Sequence, residues 1–192
     1  MPNAATIAAI RGAVEIFLGR RDGLRRFDLS VEGFWRSFGA ILYVLPLFAI
    51  VVAADWTLVS GQPSHPSREA FILARLVDLA VEWCALPIAL GLLARRLGIG
   101  RTYVAYVVAR NWSGIVTVAP LALLSLLFGL GLLSLEIMEL LSLLVIGAML
   151  FYGYRIARWT LVWPATMAAG LVAADLALSL ILLGLVNSLF GF

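Results

Sequence analysis

Five apolar runs, each longer than a soluble strand or core helix needs, set the pattern of this chain. They fall at about Phe38–Leu58, Ala70–Ala94, Tyr103–Leu133, Ser134–Tyr154 and Pro164–Phe190. A hydrocarbon layer of roughly 30 Å takes about 20 helical residues, and each run supplies that many. The pattern predicts an all-α, polytopic membrane protein with a bundle of five transmembrane helices. The joint between the third and fourth runs rests on Gly129, Gly131 and Ser134 alone, because the apolar stretch there is nearly continuous.

The first 37 residues read differently. Over Ala4–Arg20, Ile7, Ile10, Val14, Phe17 and Leu18 repeat at helical spacing and form one apolar stripe, with Arg11 and Glu15 off it. That predicts an interfacial amphipathic helix with its stripe in the acyl boundary. Ser30 can cap a second short helix, with Glu32 in its first turn and Val31, Phe34, Trp35 and Phe38 on its apolar side. The expected organisation is therefore a cytoplasmic interfacial segment, 1–37, and a five-helix transmembrane domain, 38–192.

Charge adds an orientation. The chain has no lysine, and its 14 basic residues are all arginine. Eleven of them lie in the N-terminal segment and in the second-to-third and fourth-to-fifth connections, while Arg68 alone marks the opposite side. The positive-inside rule then predicts a cytoplasmic N-terminus and a C-terminus outside. Hydrophobic residues make up 63% of the chain and charged ones 13%, with a mean hydropathy of +1.04, so no separate soluble domain is expected. Arginine-only usage rich in alanine and leucine points to a bacterial inner membrane.

Polar residues inside the runs carry the candidate chemistry. The second run holds Arg75, Asp78 and Glu82, whose spacings of three and four put them on one helical face. The third holds Arg110 and Asn111, the fourth Glu136 and Glu139, and the fifth Asp175. A charge in the hydrocarbon costs a few kcal/mol, so each should face protein or water and find a partner. Counting about 1.5 Å per residue places Arg75 level with Glu139 and Glu82 level with Arg110. Two ion pairs are expected, Arg75 with Glu139 (or Glu136) and Glu82 with Arg110. Asp78 and Asp175 are left without an evident cation. A second signal lies in the fifth run, where Ala165, Ala169, Ala173 and Ala177 form a small-residue ridge that lets another helix approach closely.

Other classes lack their residues. Phosphate loops, serine-nucleophile elbows, zinc-binding helices and paired cysteines are all missing, and Cys84 and His65 each stand alone. No catalytic residue, cofactor or metal ligand is expected. The basic residues form no aromatic-laced patch, so nucleic acid is not an expected partner. The lipid bilayer is, together with a protein partner or a second copy held through the fifth helix.

The layout, an N-terminal segment followed by five closely spaced spans, resembles Yip1-like bacterial membrane proteins. The acidic Asp-Leu-Tyr-Gly-Pro type of motif of the better-known members is absent, so the resemblance implies architecture and no site residues. The expected function is non-enzymatic: an accessory subunit, assembly factor or membrane-organising scaffold that acts by association. The alternative is a small channel or ion-coupled transporter that uses the intramembrane carboxylates.

Overall fold

The structure, a computed structural model, describes residues 4–191; Met1 to Asn3 and Phe192 of the two expected segments lie outside that range. Among the described residues there is no strand. Seven α-helices follow in order: α1 Ala4–Phe17, α2 Val31–Phe38, α3 Ile41–Val59, α4 Arg68–Leu93, α5 Tyr103–Gly129, α6 Leu135–Leu161 and α7 Ala165–Phe190. A 3-10 turn, Arg21–Arg26, joins α1 to the rest. Five helical stretches are long and apolar enough to cross a membrane: 31–59, which runs through α2 into α3, and then α4, α5, α6 and α7. This is a multi-pass membrane architecture.

One local rule starts three of the helices. Ser30, Ser67 and Ser134 each stand just before a helix in extended backbone, and each side chain accepts the N–H three residues on, from Gly33, Ala70 and Ile137. Two residues after each serine comes a glutamate, Glu32, Glu69 or Glu136, in the first turn where the helix dipole favours an acid. Glu136 is thus part of a helix start. The opposite ends stop for other reasons. Gly131 and Gly191 adopt positive φ just beyond α5 and α7. Beyond α6, Val162 takes φ 56°, an unusual state for a β-branched residue, and Pro164 then blocks continuation.

The helix α5 is the axis of the bundle. Tyr106 to Ala109 and Asn111 to Ser113 are almost continuously buried, so its first half is enclosed on every side. The helices α3 and α6 pack along it, and α1 and α2 cover that first half. The helix α4 packs mainly on α7, and α7 also meets α6. Contact of α4 with α3 and α5 is sparse, which leaves space between the α4–α7 pair and the other three spans. The end of the bundle bearing α1, α2, the turn with Arg95, Arg96 and Arg101, and the last turns of α6 is called the arginine-rich end below, and the other the distal end.

The N-terminal segment packs on the bundle through a face other than its apolar stripe. The face of α1 that packs on the bundle carries Thr6, Ala9, Gly12, Ala13 and Ile16, whereas Ile7, Val14 and Leu18 of the apolar stripe are exposed. Ile10 and Phe17 do turn toward the core. Small residues win the buried face because the backbone must come close. A Cβ on Gly12 would lie 2.7 Å from the Gly23 carbonyl oxygen, and one on Gly23 would lie 2.5 Å from that of Gly12. A bidentate bond from Arg26 to Glu15, at 2.6 and 2.8 Å, closes the 3-10 turn onto α1 and holds the Glu15 carboxyl below its usual range. Span limits shift too: α6 begins at Leu135 and runs on past Tyr154 to Leu161, so Arg155 and Arg158 are helical. Arg155 spends its charge on the end of α1, where it donates to the Phe17 carbonyl at 2.8 Å.

Candidate functional site

Polar groups from four helices meet in the space beside α5. At its middle, the Arg110 guanidinium lies 3.5 Å from the Asp175 carboxylate. The Tyr106 hydroxyl also reaches Arg110. One turn further along α7, Ser179 lies beside the Glu82 carboxylate, which feels the charges of Asp78, Arg110 and Asp175 as well. Glu82, Trp83, Arg110, Ser113, Thr117 and Asp175 line a hollow of about 250 Å³. A second hollow of about 170 Å³ lies on the other side of the Arg110–Asp175 pair, between α6 and α7.

Toward the distal end, a second polar group forms around Arg75. Its guanidinium donates to the Asn187 side-chain oxygen and stands over the Phe71 ring, 5.5 Å from the centroid. Asp55 on α3 and Asp78 on α4 both lie in the field of this arginine. Arg75 and Asn187 also line an open cleft of about 500 Å³ beside the His65 loop. Arg75 Nε and Asp78 Oδ1 are buried and make no hydrogen bond.

One wall of the central hollow is tied to the first helix. The Tyr152 hydroxyl donates to the Ala13 carbonyl of α1 at 2.7 Å. Its one proton is used there, so the Ser113 hydroxyl, 2.8 Å away, donates to the Tyr152 oxygen. Phe17 packs edge-on against the Tyr152 ring at 5.5 Å. The first helix is therefore bonded to a residue that lines the hollow.

The expected ion pairs are redrawn by this geometry. Arg75 meets Asn187, with Asp55 and Asp78 at longer range in its field; Glu136 and Glu139 are exposed, and among the described residues no ion pair joins either to Arg75. Depth was the wrong criterion, because α7, and not α6, is the neighbour of α4. Arg110 takes Asp175 as its contact partner, with Glu82 at longer range, so Asp175 is not the lone carboxylate that was expected. Asp78 matches expectation in part, with one oxygen unbonded but an arginine nearby. Asn111 leaves the cluster altogether. It is 1% exposed and donates to Ser37 on α2 at 3.0 Å, because one residue along a helix turns the side chain about 100° away from Arg110.

Several partners were not singled out from sequence: Asp55, Asn187, Ser113, Thr117 and Tyr152. Asn187 had only a weak signal, a polar residue near the end of an apolar run, about two turns beyond Ser179. Asp55 had none, because an acid four residues from a helix end reads as an interface residue. The alanine ridge is well placed for an outside partner. Ala165, Ala169, Ala173 and Ala177 are all exposed, while Ala168, Leu171 and Val186 face the bundle. Among the described residues no group of histidine, cysteine and acidic side chains could hold a metal ion. No protein-family model, curated protein or solved structure matches the chain.

Proposed function

We propose that this is a non-enzymatic membrane protein that acts by association, as an accessory subunit, assembly factor or membrane-organising scaffold. The observation that carries this reading is the bare alanine ridge of α7. Lipid tails are as apolar as side chains, so helices associate in a bilayer by close packing, and small residues permit it. Here they point away from the chain's own core. Replacing Ala169 and Ala173 together with leucine should leave the monomer's thermal midpoint unchanged and abolish recovery of a partner or second copy after crosslinking in native membranes. Unchanged crosslinks would remove the ridge from the argument.

The seat of the protein, on this proposal, is a bacterial inner membrane, with the N-terminus in the cytoplasm. The support is the arginine asymmetry. Reporters fused to the two termini should read opposite sides, the C-terminal one outside. A cytoplasmic reading at the C-terminus would reverse the assignment.

A second reading, a small channel or ion-coupled transporter, draws on the charged hollow around Arg110. Under the association reading, liposomes holding the purified chain show no proton or small-cation flux above empty vesicles. Flux that disappears in Asp175→Asn would put the transport reading first.

A further inference from the structure

A groove of about 640 Å³ runs between α3 and α4. Pro46, Ala49 and Ala53 on one wall and Ile72 and Leu76 on the other are exposed, so it opens on the outside of the bundle. At the distal end the two helices are joined, because the Trp56 ring packs on Phe71 at 5.4 Å and on His65 at 5.8 Å. Contact between α3 and α4 is otherwise sparse, which leaves the groove. From Leu45 to Thr57 it follows twelve residue steps of α3, about 18 Å by the helical rise. One leaflet of a hydrocarbon core is about 15 Å deep. The groove therefore reaches from the distal boundary to the middle of the membrane.

Its lining is apolar except at the distal mouth, where Thr57 and Arg68 stand beside Trp56. Among the described residues no acid lines it. Arg68 opens α4, and among the described residues no ion pair takes up its guanidinium. Glu69 follows it, but one residue along a helix turns the side chain about 100° away, and Glu69 does not line the groove. Tryptophan favours the level of the lipid headgroups. A long basic side chain covers apolar surface with its stem while its charge stays at that level.

We propose that this groove binds one phospholipid of the distal leaflet, with an acyl chain laid between α3 and α4 and the phosphate on Arg68. Water finds no partners in an apolar hollow, so one that faces a bilayer is filled by what the bilayer holds. Its volume lies in the range of about 300–1,000 Å³ usual for a small-molecule site. Its length matches a chain that ends near the midplane. Charge decides between a lipid and a helix from another protein. A helix would need an acid placed at the mouth, whereas a phospholipid already carries its phosphate at that level. Arginine holds a phosphate through charge-assisted, often paired hydrogen bonds. The proposal rests on neither functional reading, nor on which side of the membrane is cytoplasmic.

Native mass spectrometry of the full chain in mild detergent counts bound lipids, and titration gives their affinity. The lipids to add are dioleoyl phosphatidylglycerol and dioleoylglycerol, which share their chains and differ in the phosphate-bearing headgroup. The wild type should hold one phosphatidylglycerol about tenfold more tightly than dioleoylglycerol, the scale of a hydrogen bond to a charged group. Arg68→Gln should remove that difference and leave dioleoylglycerol binding unchanged. Ala53 is exposed, so Ala53→Trp fills the groove without disturbing the core. It should abolish binding of both lipids at an unchanged thermal midpoint, and Ala49→Trp, about one turn further in, should do the same. Inorganic phosphate in excess should not displace the lipid. Equal affinity for the two lipids, a preference that survives Arg68→Gln, or binding that survives both tryptophan variants would each overturn the proposal. So would displacement by inorganic phosphate, which would mark a free-anion site. A dimer that excludes lipid and is lost in Ala53→Trp would give the groove to a second copy. Crosslinking through the alanine ridge and flux in liposomes are read separately, so failure of either functional reading leaves this result standing.

Discussion

Replacing Arg110 with glutamine should be among the most damaging single changes in the bundle, with a loss of about 3 kcal/mol, toward the lower end for breaking a buried pair. The guanidinium is the contact partner of Asp175, at 3.5 Å, and the cation nearest Glu82. Its removal strands two acids in the space beside α5. The partner substitution Asp175→Asn should cost less, since Glu82 remains to balance the arginine. Arg110→Gln made on top of Asp175→Asn should cost clearly less than it does in the wild type. Thermal unfolding in detergent of the four proteins measures this coupling. Additive losses would show that Arg110 and Asp175 do not support one another.

The location of that pair shows what the sequence does and does not carry. Run length and apolar content place all five spans, because they follow from the thickness of the hydrocarbon layer. Serine followed two residues later by glutamate marks the starts of α2, α4 and α6, because capping is a local matter. The same residues explain why Glu136 was misread. A carboxylate that serves a helix start looks, from depth alone, like one seeking an arginine. Which helices become neighbours is not local. That α4 packs on α7 decides that Arg75 meets Asn187 and that Asp175 is free to meet Arg110. The bundle-facing side of α1, with Thr6, Ala9, Gly12, Ala13 and Ile16, was not legible either, because it is set by the neighbours that α1 meets.

Loss of the Tyr152 hydroxyl should loosen this first helix. The hydroxyl donates to Ala13 and accepts from Ser113, and the residue is 1% exposed. Tyr152→Phe keeps the ring, and with it the edge-on packing against Phe17. What it removes is the one polar tie from the floor of the hollow to the α1 backbone. Leaving buried partners unsatisfied costs about 1–3 kcal/mol. Truncation to alanine also opens a cavity, and the total then rises to about 3–5 kcal/mol. The site of the loss is more telling than its size. Other ties of α1 include those of Arg155 and of the Arg26–Glu15 clamp, and the clamp joins α1 only to its own 3-10 turn. Amide hydrogen exchange should therefore accelerate across α1 in Tyr152→Phe while the middle of α5 keeps its protection. Arg155→Gln should produce the same local pattern from the other end of the helix. If exchange in α1 stays at the wild-type rate while the thermal midpoint falls, the hydroxyl supports the hollow itself and does not hold α1 in place.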